Sequence, residues 1–167
     1  MSEPGRLPVF RFVGHSGSGK TTLLERLIAE LRGRGLRVAV AKDTHHPVEL
    51  DRPGKDTWRL ARAGAEQVVL TSPGRLAMFQ ARDGRPSLAE VARLVAPEVD
   101  ILLAEGFRDD VEPAIVVWRA ALGRDLPGLR GPVVAVVADG PTGYDVPAFG
   151  LDDAEGLASF LLSRSPD

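Results

Sequence analysis

The chain has no cysteine, only three lysines and only three histidines among 167 residues. Without cysteine it can form no disulfide and no thiolate nucleophile or ligand, although this alone leaves the compartment open. No basic stretch with an apolar core precedes Leu7, and no apolar run approaches the length of a membrane span. A strong charge of either sign is missing too. The net charge is −2 at pH 7, which disfavours a general nucleic-acid or anionic-membrane binder. Hydrophobic residues make up 44% and charged residues 26%, a globular balance, and the length suits one domain with a sizeable core. A soluble, cytoplasmic protein of one domain is expected.

The scarcity of lysine is informative in itself. Of 21 basic residues only Lys20, Lys42 and Lys55 are lysine, while surface-facing helix positions such as Arg26 and Arg32 carry arginine. A sequence so biased keeps lysine where a compact ammonium does what a planar guanidinium cannot. Lys42 and Lys55 are therefore candidates to face the same ligand as Lys20, against the alternative of chance survival. The histidines, His15, His45 and His46, flank the same region.

Where glycine is dense, it is dense for a reason. GHSGSGKTT, Gly14 to Thr22, stands between an apolar run, Leu7 to Val13, and a helix-periodic segment, LLERLIAEL. The spacing fits G-x-x-x-x-G-K-[ST], with Gly14, Gly19, Lys20 and Thr21 at the fixed positions. A loop of this type wraps phosphates with backbone N–H groups, so side chains on the glycines would block the approach. Lys20 then reaches the outer phosphates, and the Thr21 hydroxyl ligates magnesium. The helix that follows adds unpaired N–H groups and a positive dipole end. The competing reading is a glycine-rich turn that matches by coincidence, and the flanking strand and helix argue against it.

Further along, the pattern predicts a helix from Thr21 to Arg34 with Leu23, Leu24, Leu27, Ile28 and Leu31 on one stripe. A strand over Arg37 to Ala41 and a long polar loop, KDTHHPVELDRPGKD, come next. Then follow a short helix at Thr57 to Ala63 and a hairpin of Gln67–Thr71 with Arg75–Arg82. A capping box, Ser87 to Glu90, opens another helix toward Val95. Apolar strands follow at Asp100 to Gly106, Ala114 to Trp118 and Val133 to Ala138, and a second capping pattern, Asp152 to Glu155, opens a C-terminal helix. Alternating strands and helices imply a three-layer α/β phosphate-loop fold, mostly parallel, with an antiparallel portion. Ligands in such folds gather beyond the carboxyl ends of the strands. Those ends are Gly14, Lys42, Glu105 and Ala138.

Glu105 and Gly106 thus suit the second phosphate-site motif. The carboxylate could hold magnesium or orient water, and the glycine N–H could meet the terminal phosphate. A plain strand-end turn is the alternative, and Asp43, after Lys42, is a competing magnesium carboxylate. His45 and His46, with no further histidine or cysteine beside them, make a poor transition-metal pair. Asp139 follows the last strand in VADGP. It either accepts from the ring N–H and amine of guanine or is a ligand-free Asp-Gly turn.

Taken in order, GHSGSGKTT, KDTHH, DRPGKDTWRLARAGA, DILLAEGF and VADG resemble the MobB family, molybdopterin-guanine dinucleotide biosynthesis adapter proteins that bind GTP through a phosphate loop. The resemblance spans nearly the whole chain, and the PGKD-to-AGA block and LLAEGF are its specific parts. It implies GTP binding with magnesium, weak GTP hydrolysis and a homodimer. It also implies an accessory role beside the molybdopterin guanylyltransferase and other molybdenum-cofactor proteins. By position, Gly14, His15, Ser16, Gly17, Ser18, Gly19, Lys20, Thr21 and Thr22 form the phosphate loop, Glu105 and Gly106 the second motif, and Asp139 a base contact. Asp43 departs from the histidine usual in the family, which puts a histidine cluster here in doubt. The runner-up is a small-molecule kinase, whose arginine-bearing lid could only be GRDLPGLRG, Gly123 to Gly131. A nickel-insertion GTPase is a weaker third, for want of metal ligands.

Overall fold

The first strand, β1 (Val9–Val13), is buried at all five residues, as a central strand covered on both faces must be. In the computed structural model, which describes residues 7–46, 48, 51–95 and 97–164, β1 lies inside a six-stranded sheet. Its neighbours are β5 (Ile101–Glu105) on one side and β6 (Ala114–Trp118) on the other. Outside them lie β2 (Val38–Lys42), β7 (Val133–Ala138) and a two-residue β8 (Ala148–Phe149), giving the order β2-β5-β1-β6-β7-β8. Every pairing is parallel. All carboxyl ends therefore sit at one edge, and register brings Lys42, Glu105 and Phe12 level.

Helix α1 (Lys20–Gly33) and α4 (Ala154–Arg164) cover one face through Leu23, Leu27, Leu31, Leu157 and Leu161, packed on Phe10, Phe12, Leu103 and Val117. The short α3 (Leu88–Leu94) covers the other, where Leu88 meets Val9, Leu102, Ala104 and Phe107. Its capping box forms as predicted, Ser87 Oγ accepting from the Glu90 N–H while Glu90 returns to the Ser87 N–H. The second capping pattern is displaced by one residue. Asp153, not Asp152, accepts from the Gly156 N–H at 2.9 Å, and Asp152 pairs with Arg26 instead. Strand β8 was not foreseen, because two residues carry no readable period.

Residues Thr44–Pro86 form a compact unit of their own, and the remaining described residues form the larger one. The smaller unit holds α2 (Asp56–Arg62) and the antiparallel hairpin β3 (Gln67–Ser72) with β4 (Arg75–Gln80), turned at Pro73-Gly74 as the sequence predicts.

Arg11 is the exception to apolar packing in β1. Its side chain is fully buried, and burial lowers its pKa. Three carbonyls receive its guanidinium: Phe107 at 2.7 Å, Glu112 at 2.7 Å and Arg130 at 2.5 Å. Phe107 and Glu112 belong to the β5–β6 connection, which crosses β1 without a helix, and Arg130 to the β6–β7 connection, so Arg11 supplies donors to turned-in carbonyls of both.

At the opposite edge Asp100 ties the starts of β5 and β2 together. It accepts from the Arg37 N–H at 2.6 Å, the main cause of a pKa held below the ordinary 3.8, with the Arg37 side chain adding to it. A depressed carboxylate contributes stability above its unfolded pKa and loses it as pH falls through the folded value. Asp100→Asn is therefore expected to be less stable than wild type at pH 7, with the gap closing below about pH 4. Urea unfolding at pH 7 and pH 3 checks this. A gap that is the same at both would show that the Asp100 charge contributes nothing.

Candidate functional site

The site begins where β1 ends. A Cβ on Gly14 would lie 2.2 Å from the Val117 carbonyl oxygen and 2.7 Å from Ser18 Oγ, so the loop can turn against β6 only with glycine here. Gly19 takes φ 93°, a left-handed conformation that lets the chain enter α1 directly. Inside the loop the Ser18 N–H donates to the His15 carbonyl at 3.2 Å.

The amino end of α1 is bare. It has no side-chain cap and no acidic residue in its first turn, in contrast to the box that closes α3. First-turn N–H groups have no partner within a helix, so this end offers donors and a positive dipole to an anion. Lys20 adds the charge. Its Nζ donates to the Gly14 and His15 carbonyls at 2.8 Å each, folding the ammonium over the loop. Desolvation lowers its pKa, with Glu105 opposing and Lys42 assisting.

Across from the loop, β5 delivers Glu105. Thr21 Oγ1 donates to Glu105 Oε2 at 3.1 Å, and Lys42 Nζ stands 3.5 Å from Oε1. The carboxylate is only 13% exposed, whereas Lys42 is 62% exposed, so the pair lies at the rim with the carboxylate inward. Three residues expected at one site from separate motifs, Thr21, Lys42 and Glu105, are thus in contact. Lys55 lies in the smaller unit, just ahead of α2.

Gly106 serves differently from the expectation. Its N–H, assigned above to a terminal phosphate, donates to the Phe12 carbonyl at 3.0 Å and completes the β1 ladder. Its φ of 94° carries the chain past Asp43, whose Cβ and carbonyl oxygen would each lie 3.2 Å from any Cβ added there. Asp43 in turn donates its N–H to the Glu105 carbonyl at 2.9 Å. Phe107 follows at φ 52°, the sole non-glycine positive φ among the described residues, with its carbonyl held by Arg11.

Asp139 is exposed at the end of β7, and its Oδ1 accepts from the Ala120 N–H at 2.6 Å. One oxygen thus braces the turn Ala120–Leu122 after β6, as a structural residue would, while Oδ2 carries no hydrogen bond among the described residues. His45 Nδ1 accepts from Arg85 at 3.1 Å, and the His46 N–H donates to Thr44 Oγ1. Among the described residues no group of three or more His, Cys, Asp or Glu is placed to hold a metal ion. Magnesium carried by phosphate oxygens is a different case. Such an ion needs few protein ligands, and the Thr21 hydroxyl and Glu105 carboxylate are hard oxygen donors already side by side. No helix among the described residues is long and apolar enough to cross a membrane.

Sequence reading missed Arg11 and Arg119. Arg11 hides in an otherwise apolar strand, and Arg119 stands one residue past β6 with no motif around it.

Residues 9–139 match the family model for molybdopterin guanine dinucleotide synthesis protein B, MobB. The molybdopterin-guanine dinucleotide biosynthesis adapter protein of Escherichia coli K12 is 36% identical over 97% of this chain and 95% of its own length. That of Haemophilus influenzae is 36% identical over 93% of this chain and 88% of its own. Among solved structures, a molybdopterin-guanine biosynthesis protein B superposes with a TM-score of 0.68 at 31% identity, covering 93% of this chain and 98% of that one. Bacillus subtilis MobB superposes at 0.71 with 26% identity, over 96% and 99%.

Proposed function

Since the chain belongs to the MobB family, we propose that it is a GTP-binding adapter with weak GTPase activity that assists molybdopterin guanine dinucleotide biosynthesis. A role in that biosynthesis follows from the family. Nucleotide binding is supported most directly by one observation: a bare helix terminus with Lys20 folded over it and Thr21 against Glu105.

In this reading the loop N–H groups and Lys20 bind the phosphates, and Thr21 and Glu105 hold magnesium, with Asp43 near the same rim. Magnesium, when bound, neutralises charge on the phosphate oxygens. Glu105 orients water, and Lys42 Nζ stands 3.5 Å from its carboxylate. Hydrolysis is slow until a partner or second subunit adds an arginine, a contribution of ~10³ or more in related reactions. The output is then a protein complex, with a homodimer engaging the molybdopterin guanylyltransferase in the cytoplasm.

The base is the part most open to direct testing. Asp139 Oδ2 accepts from guanine in this reading, and adenine has no matching pair of donors. GTP is expected to outcompete ATP by at least ~10-fold, since a charge-assisted bond is worth about 1.5–3 kcal/mol. Asp139→Asn should lose GTP affinity and gain xanthosine triphosphate, whose ring presents an acceptor in place of the amine. Competition of the three nucleotides against both proteins decides it. An unchanged ranking would leave Asp139 as a brace for Ala120 and nothing more.

A further inference from the structure

The connection that leaves β6 runs along the phosphate loop. Arg119, its first residue, brings Nη2 to 3.3 Å from where a Cβ on Gly19 would be. Leu122 Cδ2 stands 3.7 Å from the same point on Gly17. The Asp125 carbonyl accepts from His15 Nε2 at 2.9 Å. The stretch is pinned at two further points, Ala120 by Asp139 and the Arg124 carbonyl by the Trp118 indole N–H at 2.9 Å. Residues 119–125 therefore wall the loop on the side away from Glu105, since β5 and β6 flank β1 on opposite sides. The start of GRDLPGLRG, considered above as a lid, belongs to this wall.

Of the two arginines in this stretch, Arg119 and Arg124, Arg119 is the one that reaches Gly19. Its Nε is buried without a hydrogen-bond partner, and no hydrogen bond or ion pair joins its side chain to any described residue. Leaving a buried donor unsatisfied is costly, and an arginine fork matches phosphate oxygens in geometry and charge. Gly19 leaves room for it, since any side chain there would press on the guanidinium.

We propose that Arg119 is a second phosphate-binding cation of this loop, contacting the inner phosphates of a bound nucleoside di- or triphosphate. This rests on the nucleotide-binding reading of the loop. In loops of this type the threonine marks the magnesium and terminal-phosphate side. Thr21 faces Glu105, so Arg119, on the other flank, meets the part of the nucleotide shared by GDP and GTP.

Calorimetric titration of GDP and of a non-hydrolysable GTP analogue, each with magnesium, tests this on wild type, Arg119→Gln and Arg119→Lys. Thermal melts of the nucleotide-free proteins accompany it. Arg119→Gln is expected to weaken both nucleotides about tenfold or more, by similar factors, and Arg119→Lys to recover part of the loss. Its nucleotide-free melting temperature should equal or exceed that of wild type, because no bond is broken. Normal affinities in Arg119→Gln, beside a wild type that binds, would overturn the proposal and leave the loop reading standing. So would a loss confined to the triphosphate, or a lowered melting temperature that accounts for the weaker binding. A wild type that binds neither nucleotide would overturn both readings together.

Discussion

Lys20→Ala is expected to lower affinity for GTP by about two orders of magnitude while the fold stands. Two charge-assisted bonds to phosphate, at about 1.5 kcal/mol or more each, correspond to a factor of that size. The fold should not suffer, because the Lys20 donors go only to the Gly14 and His15 carbonyls of its own loop. Its charge is already disfavoured there. Desolvation holds its pKa below the ordinary 10.5, so at neutral pH the ammonium subtracts from stability, a cost that fades as pH rises through the folded value. Fluorescent GTP titration beside circular dichroism and a thermal melt checks both halves. Wild-type affinity in the variant would remove Lys20 from the phosphate site.

Gly14→Ala should damage the protein itself. The added methyl would lie 2.2 Å from the Val117 carbonyl oxygen, well inside contact distance, and that oxygen belongs to a strand paired with β1. Either the loop lifts or β1 and β6 move apart, and overpacking of this kind costs about 1–3 kcal/mol. The control is Gly33→Ala at the end of α1, where an added Cβ meets nothing within 4 Å. Urea midpoints compare the two. A Gly14→Ala midpoint equal to that of wild type would mean that the close approach to β6 does not exist in solution.

The contrast between these glycines shows what a sequence can disclose. The phosphate loop was legible because its chemistry requires glycine, lysine and threonine at fixed short spacings, all on one turn of chain. Glu105 was legible as a strand-end carboxylate, and the parallel register then carried it to Thr21 and Lys42. Helix and strand positions followed from periodicity, within a residue or two at their ends. What was not legible depends on contacts between distant residues. Arg11 reads as an oddity in an apolar strand until the fold brings the carbonyls of Phe107, Glu112 and Arg130 around it. The Gly106 N–H reads as a phosphate donor until the β1–β5 ladder takes it. Arg119 reads as an ordinary strand-end arginine until the wall it begins is seen against Gly17 and Gly19. The two capping patterns differ for a local reason. Ser87 has one candidate position, whereas Asp152 and Asp153 compete and the residue adjoining Ala154 wins.

The central claim is that the bare terminus of α1, with Lys20 over it, is a nucleotide site. Calorimetric titration of GTP with magnesium into the wild-type protein tests it most directly. One saturable site per chain is expected, lost in Lys20→Ala and weakened when magnesium is withheld. Absence of binding by the wild type at millimolar GTP, or binding that Lys20→Ala leaves intact, would contradict it.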